Sequence, residues 1–556
     1  MLWKSLISVL LLSSVSIQAF AKSEGDPWAN TSVDFTLIDY FAKKVYPCDK
    51  NDQYHLACIQ LVNAMGSNLK TQQTLIAKGS NNLFPNAKLT VLKDLGPLQL
   101  VEVENDTTAK ELSPLAANNL FKARNASLVE AAKQSFKVQP KFDFIGLTQT
   151  LFHSVEPRPD VSRQALIAGA VGQMMTVVDA HSHINNKASW DEDMKNPDLN
   201  LIGIGTQVQE GTEGTIVAHV MDDSPAEKYG VQDGDVITEV DELRTKGVPL
   251  TTVVNRIRGV KDTVAHLTIA RLGQSLKIDV VRGVVSQKNV DPKIVTDMGI
   301  KVLRVELHSF VSADACDQIA KAITSAPSDV EGIILDVRGN PGGLVSQADC
   351  IGGLFVGRRT IAVIRGISGP TVLPQAKIEA SDRDMITVLP VVVLINNHSA
   401  SASEFVAGAL QDYQRAYIMG TTSFGKGSVQ TSNDLPLYNG TIYWFQTTAR
   451  FYQPLGHTNQ QVGIRPDFVV YPRPNMTDEE KFQPREGDLV PGALEAIGET
   501  WTQQRSPQIA SLKKNCLSAN RALATYTANA PTRPGTRNDY QLYSAQELIA
   551  CLAQGQ

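Results

Sequence analysis

Val391-Val392-Val393-Leu394-Ile395, followed by Asn396-Asn397-His398 and then Ser399-Ala400-Ser401-Ala402-Ser403-Glu404, is the stretch that decides the fold. Five consecutive apolar residues, mostly β-branched, read as a strand buried on both faces, as in a sheet covered by helices. Behind the serines, Phe405, Val406, Ala409, Leu410 and Tyr413 recur at helical spacing. A serine at such a strand-to-helix junction lies near free backbone N–H groups and the positive end of a helix, where a developing oxyanion is stabilised. For Ser399 and Ser403, ordinary helix capping is the competing reading.

Outward from this junction, strands and helices alternate: Val302 to Leu307, a helix near Ala313 to Thr324, Ile333 to Val337, and a helix near Val345 to Phe355. Such alternation predicts a layered α/β domain with largely parallel strands. Further upstream, from about Leu199, the texture is one of short β-branched strands with glycine turns, through Gly214 to Val220, Asp235 to Val240 and Leu267 to Leu272. Residues 30–190 read as mainly helical, with apolar residues at three- and four-residue spacing in Phe35 to Val45 and Arg163 to Val178. The last segment, Glu479 to Gln556, has helical stretches interrupted by a Pro/Gly/Thr-rich break at Ala530 to Thr536, and its function is not legible.

A chain of 556 residues exceeds the size of one hydrophobic core, so several domains are expected. Lys4, the apolar run Leu6 to Val15 and Ala19-Phe20-Ala21 read as a secretory signal with cleavage before Lys22. That run is shorter than the about 20 residues of a bilayer span, so no stable membrane insertion is expected. The net charge of −5 provides no basic field for nucleic acid. Six cysteines in an exported chain point to disulfides, and they fall in sequence-local pairs: Cys48 with Cys58, Cys316 with Cys350, Cys516 with Cys551. Sequence alone does not fix the pairing, but Cys316 and Cys350 fall on consecutive predicted helices that would lie side by side.

Gly425-Lys426-Gly427 follows the predicted strand Ala416 to Met419. A lysine acts as general base only when desolvation brings its pKa toward neutrality, and Ser-Lys pairing is a known variant of triad logic. A solvated lysine turn is the bland alternative. Two other motifs fall short. Gly420 to Lys426 resembles a phosphate-binding loop, but Gly427 stands where magnesium binding needs Ser or Thr. His181-Ser182-His183 offers two imidazoles without an H-E-x-x-H pattern or an obvious third ligand. No G-x-S-x-G elbow is present.

These blocks resemble the carboxy-terminal processing, or tail-specific, peptidases, and the resemblance covers roughly residues 163–470. It rests on the strand and S-A-S-A-S-E run, on Phe424-Gly425-Lys426-Gly427-Ser428-Val429-Gln430, and on Leu335-Asp336-Val337-Arg338-Gly339-Asn340-Pro341-Gly342-Gly343. Thr447 to Pro454 and Val462 to Asp467 continue it downstream. The resemblance implies Ser401 as nucleophile and Lys426, 25 positions later, as base. Gln430 would support this dyad, Asp412 would serve activity or stability, and the N–H groups of Gly343 and Ala402 would hold the oxyanion. The β-rich segment looks like the family's PDZ domain, with Ile202-Gly203-Ile204-Gly205 as carboxylate-binding loop, the isoleucines lining a pocket, and Arg258 coupling the domain to the active site. Glu242, Asp262 and Ala180 depart from the family pattern, which has glycine, glycine and proline there.

The expected architecture is therefore a multidomain α+β and α/β chain: signal 1–21, a mainly helical region 22–197, a PDZ domain 198–283, a crotonase-like α/β serine protease core 284–475 and a helical C-terminal region 476–556. The expected activity is that of a periplasmic serine endopeptidase without metal or organic cofactor, acting on proteins or peptides with accessible C-termini. Whether it works as a homo-oligomer or with an adaptor partner stays open. A peptide-binding adaptor that keeps the fold without cutting, and a crotonase-type acyl-CoA enzyme, are the alternatives. The intact Ser401, Lys426 and Gln430 argue against the first, the signal and PDZ-like segment against the second.

Overall fold

The computed structural model describes residues 28–554 apart from 30, 70, 85, 105–113, 155, 158–160, 196–198, 211–213, 222–223, 233, 247, 249, 272–273, 368–375, 380–383, 473, 475, 477–480, 482, 490–493, 496–504, 518–520 and 529–538. The expected signal segment 1–21 and the Ala530 to Thr536 break lie outside the described residues. Among those described, no helix is long and apolar enough to cross a membrane.

The strand Val391–Ile395 sits inside a six-stranded sheet ordered Val290–Val295, Lys301–Leu307, Val330–Asp336, Val391–Ile395, Tyr417–Gly420, Phe468–Val469. Its first pair is antiparallel and the rest are parallel. Side chains of a strand point alternately to the two faces. Val391, Val393 and Ile395 accordingly pack with Phe355, Phe405 and Leu410 on one face, and Val392 and Leu394 with Ile509, Leu512, Leu548 and Ile549 on the other. Burying each such side chain contributes about 1.5–3 kcal/mol, which is why the strand is an unbroken apolar run.

The second face is covered by two helices of the C-terminal region. Helices Ser506–Asn515 and Tyr540–Ala553 lie there, joined by the Cys516–Cys551 disulfide. At the end of strand Val330–Asp336, Arg338 donates to both carboxylate oxygens of Asp539, at 3.0 and 2.7 Å, and is itself held by Asp336 at 2.6 Å. On the first face, helices Ala315–Thr324 and Val345–Val356 are linked by Cys316–Cys350, the side-by-side arrangement expected for them. Cys48–Cys58 completes the three local disulfides.

A second, antiparallel sheet runs Ala376–Glu379, Thr360–Gly366, Ile442–Tyr452, Ser428–Asp434. Strand His183–Asn186 adds to Ile442–Tyr452, so the end of the N-terminal region belongs to this sheet. That region is mainly helical, as expected, but also holds a small sheet. Helices Asp52–Ser67, Pro114–Val138, Phe144–Ser154 and Arg163–Val178 share one core, but Gln73–Ala77, Lys88–Leu95 and Leu98–Glu104 form an antiparallel sheet between them. The alternation in Leu98-Gln99-Leu100 was the period-two signal. Strands Gln274–Val281, Val264–Arg271, Val236–Val240, Thr215–Val220 and Thr206–Glu210, in that order, form the sheet of the expected PDZ domain, with helix Leu250–Ile257 packed on it.

Candidate active site

Strand Val391–Ile395 delivers its chain directly into helix Ala402–Asp412. The three serines between divide the work. Ser399 Oγ donates to Val337 O at 2.7 Å and Ser403 Oγ to Asn340 O at 2.9 Å; both side chains are buried and tie the elbow to the neighbouring strand's end. Ser401, at the helix N-cap, has φ 54° and ψ −113°, a conformation that costs a non-glycine residue about 1–3 kcal/mol and is held only where the surroundings impose it.

The opposing loop supplies the surroundings. Asn340 Oδ1 accepts from Gly342 N at 2.9 Å and its Nδ2 donates to Leu307 O at 2.7 Å. Gly342, at φ 100°, lies so close to the elbow that a Cβ there would meet Ser401 Cβ at 2.8 Å and Ala402 N at 2.9 Å. A Cβ on Gly343 would strike the Phe310 carbonyl carbon at 2.5 Å. Only glycines let this loop approach the serine. The N–H groups of Gly343 and Ala402 have no protein acceptor among the described residues, so both remain available to an oxyanion.

Glu404 fastens the serine elbow to the lysine loop, a role that sequence reasoning missed. Its Oε2 accepts from the backbone N–H groups of Ser401 and Lys426, both at 2.9 Å, and its Oε1 from Gly425 N at 2.9 Å and Ser423 Oγ at 2.6 Å. Burial pushes its carboxyl up to about 7, opposed by these hydrogen bonds. In the sequence it reads as a plain helix-start glutamate.

Lys426 Nζ donates to Gln430 Oε1 at 2.6 Å, and no hydrogen bond joins it to Ser401 Oγ among the described residues. Gln430 Nε2 donates to Ser428 Oγ and Thr447 Oγ1, both at 2.9 Å, and Thr447 Oγ1 donates to Asp179 Oδ1 at 2.9 Å. Burial lowers Lys426 below the usual lysine range, against the opposing pull of the carboxylates of Glu486, Asp179 and Glu404. Ser401, Lys426, Gln430, Gly343 and Ala402 thus belong to one set of interlocking loops.

Asp412 does not join them. It ends the helix that Ser401 begins, roughly 15 Å away at 1.5 Å per residue. Its carboxylate accepts from Leu455 N at 2.9 Å and pairs with His457 Nε2 at 2.7 Å, holding the turn after Tyr452.

In the PDZ segment, Arg258 packs on Gly203, 3.8 Å from where a Cβ would stand. Gly205 has φ 80° and Ile204 O accepts from Ala226 N at 2.7 Å. Ile204 is wholly buried in the domain core, so of the two isoleucines expected to line a pocket only Ile202 faces partly outward. Glu242 and Asp262 keep left-handed backbones, φ 70° and 66°, where the family pattern has glycine. His181 and His183 gather no third ligand: no metal-holding group of His, Cys, Asp and Glu occurs among the described residues.

A model of peptidase family S41 matches residues 301–470, and a PDZ-domain model matches residues 194–270. The carboxy-terminal-processing protease of Bartonella bacilliformis is 37% identical over 313 residues, 55% of this chain and 70% of that protein. The chain belongs to peptidase family S41. Another similar protein of this kind, from Staphylococcus haemolyticus and named "Probable CtpA-like serine protease", is 32% identical over 310 residues, 55% of this chain and 60% of that relative. Among solved structures, the photosystem II D1 C-terminal processing protease is 25% identical, with 61% of this chain and 88% of that one covered and a TM-score of 0.38. In this S41 chain the family match ends at residue 470. Yet the lysine loop also touches residues beyond it: Glu486 N donates to Phe424 O at 3.0 Å, and Thr421 Oγ1 to Gln483 Oε1 at 2.6 Å.

Proposed function

We propose that the chain is an exported serine endopeptidase that cuts peptide bonds with Ser401 as nucleophile and Lys426 as base. The observation that carries this reading is the convergence on one elbow of a positive-φ serine, two N–H groups without acceptors and a partly buried lysine whose pKa burial lowers. Lys426, as the neutral amine, takes the Ser401 proton while Oγ attacks the substrate carbonyl. The oxyanion is held by the N–H groups of Gly343 and Ala402, the proton passes to the leaving amine, and water then hydrolyses the acyl-enzyme. Nucleophile, base and oxyanion donors are all protein groups, so the step requires no cofactor.

Lys426 Nζ resting on Gln430 is the observation on the side of a non-cutting adaptor. Catalytic hydrogen bonds are often long or unmade in unliganded enzymes and tighten with substrate, so this geometry describes a resting site. Three disulfides and the Ala19-Phe20-Ala21 signal pattern support export to an oxidising compartment such as the periplasm.

Substrates would be unfolded proteins with free C-termini, captured by strand addition to the PDZ edge. The test is one unfolded chain made with a small apolar C-terminus, a charged C-terminus or a C-terminal amide, incubated with purified protein and followed by mass spectrometry of fragments. Internal cleavage with a clear preference for the apolar acid is expected. Intact chains throughout would refute the protease reading, and equal rates for all three would reduce the PDZ domain to a structural part.

A further inference from the structure

Asp179 caps the end of helix Arg163–Val178, outside both the PDZ match at 194–270 and the S41 match at 301–470. Its backbone N–H donates to Met175 O at 2.9 Å. Just beyond it, strand His183–Asn186 pairs with Ile442–Tyr452, with Phe445 opposite His183. Across the other edge of Ile442–Tyr452, Gln430 stands opposite Thr447. The two ladders therefore bring the residues before His183 to Thr447, and through it to the partner of the lysine. The Asp179 carboxylate is filled there. Its Oδ1 accepts from Thr447 Oγ1 at 2.9 Å and His181 N at 3.1 Å, and its Oδ2 from Ser182 Oγ and, at 3.3 Å, from Thr447 N. His181, buried and hydrogen-bonded to Glu486, holds the same turn from its other side.

We infer that Asp179 is a positioning residue for Lys426: it sets the direction of the hydrogen bonds that run from Lys426 through Gln430 and Thr447, and so keeps the lone pair of the lysine free for the Ser401 proton. A hydroxyl has one proton to donate and a carboxylate has none. With the Thr447 proton directed at Asp179, Thr447 Oγ1 can only accept from Gln430. The Gln430 nitrogen must then face Thr447, 2.9 Å away, and its oxygen must face Lys426 Nζ at 2.6 Å. Ser428 Oγ, also 2.9 Å from that nitrogen, is a hydroxyl that could serve either end of the amide, so it imposes no direction.

The direction matters because a neutral amine has two N–H groups and one lone pair. Facing the amide oxygen, it donates an N–H and keeps the lone pair for Ser401. Were the amide reversed, an N–H of Gln430 would occupy that lone pair and the base would be blocked. The charge of Asp179 acts in the opposite sense. Burial lowers Lys426, and the carboxylates of Glu486, Asp179 and Glu404 pull it back up. Neutralising Asp179 favours the free amine and by itself would speed the reaction, so a fall in rate reports the hydrogen-bond chain and not the charge.

This inference rests on the Ser401/Lys426 reading for its effect on rate, and one arm of its test does not need cleavage. In protein labelled isotopically at glutamine side-chain nitrogen, the Gln430 amide signals are identified by their loss in Gln430→Ala, and nuclear Overhauser contacts show what its protons face. In the wild type they should contact Thr447 strongly, with no contact of comparable strength to the Lys426 side chain. In Asp179→Asn, contacts to Lys426 should appear. The second arm is kinetic. With an unfolded protein as substrate, kcat should fall by about tenfold or more in Asp179→Asn, part of the about 10²–10⁴ that a positioned base contributes, with KM within about twofold. In a Gln430→Ala background the same change should cost nothing further in kcat, because the chain no longer reaches Lys426; a merely structural Asp179 would lose the same factor in both backgrounds. Thr447→Val breaks the chain with the carboxylate in place and should match Asp179→Asn in both arms, so it decides if Asp179→Asn fails to fold. Unchanged amide contacts, or equal losses of kcat with and without Gln430, overturn the inference. Where Gln430→Ala is too slow to measure, or the wild type cleaves nothing and the protease reading fails, the amide contacts decide this inference alone.

Discussion

Glu404 offers the sharpest quantitative test of how the site is held. Its carboxylate accepts four hydrogen bonds, from Ser401 N, Lys426 N, Gly425 N and Ser423 Oγ, and is 1% exposed. In Glu404→Gln the amide oxygen can take the Ser401 and Lys426 donors and the amide nitrogen can donate to Ser423 Oγ, but Gly425 N–H then faces an N–H. One orphaned buried donor costs about 1–3 kcal/mol. Glu404→Ala strands all four, and even with relaxation about 4–8 kcal/mol is expected, comparable to the whole stability of many domains. The pH dependence carries a sign. A folded carboxyl raised from 4.5 to about 7 binds its proton more tightly than the unfolded chain does. Its stabilising contribution is complete below 4.5 and is lost as pH rises through about 7, a change of about 3 kcal/mol that Glu404→Gln should lack. Urea denaturation of wild type and Glu404→Gln between pH 4.5 and 8 measures both. The variant's deficit should be larger at pH 5 than at pH 8, and its cleavage rate should fall because Ser401 and Lys426 lose their shared anchor. A deficit below about 0.5 kcal/mol at every pH, with full activity, would refute this assignment.

Asp412→Asn weakens the contacts to Leu455 and His457 and should cost about 1–3 kcal/mol in urea denaturation with kcat nearly unchanged where the protein is folded; a large loss of kcat would return Asp412 to the catalytic set. Asp241 and Glu242 form a two-residue hairpin loop, both at positive φ, between Val240 and Leu243. Such turns favour glycine at the second position, so Glu242→Gly should raise stability by about 1 kcal/mol in thermal denaturation, and a lowered Tm would contradict the turn. Gly342→Ala places a methyl group against Ser401 Cβ and Ala402 N and should remove most cleavage while far-UV circular dichroism stays native; wild-type rates would show that the loop need not approach so closely.

Much of the central domain was legible because its information is local. Val391–Ile395 is buried on two faces and had to be apolar throughout, and the strand–helix alternation around it translated into a parallel sheet. The local grouping of the cysteines was legible for the same reason, although the sequence did not fix their pairing. What escaped depends on contacts that no local pattern encodes. His181 and Glu486 are 305 positions apart, and each alone looks like a surface polar residue. Glu404 sits at a position where capping glutamates are common, so its grip on the lysine loop, 19–22 positions away, left no mark. Asp412 was read by resemblance as serving activity or stability, and its partners Leu455 and His457, 43 and 45 positions away, left no local pattern beside it. The sheet of residues 73–104 was hidden inside a region whose longer helices dominated the periodicity.

The central claim is that Ser401 and Lys426 act as one unit, and the direct measurement is the cleavage rate of an unfolded protein by wild type, Ser401→Ala, Lys426→Met and the double variant, with circular dichroism confirming the fold of each. Residues that act as a unit are strongly non-additive, so each single variant should lose at least about a thousand-fold and the double variant little more. Lys426→Met that cleaves within about tenfold of wild type, or Ser401→Ala that cleaves at all above the double variant in material free of host protease, would contradict the account.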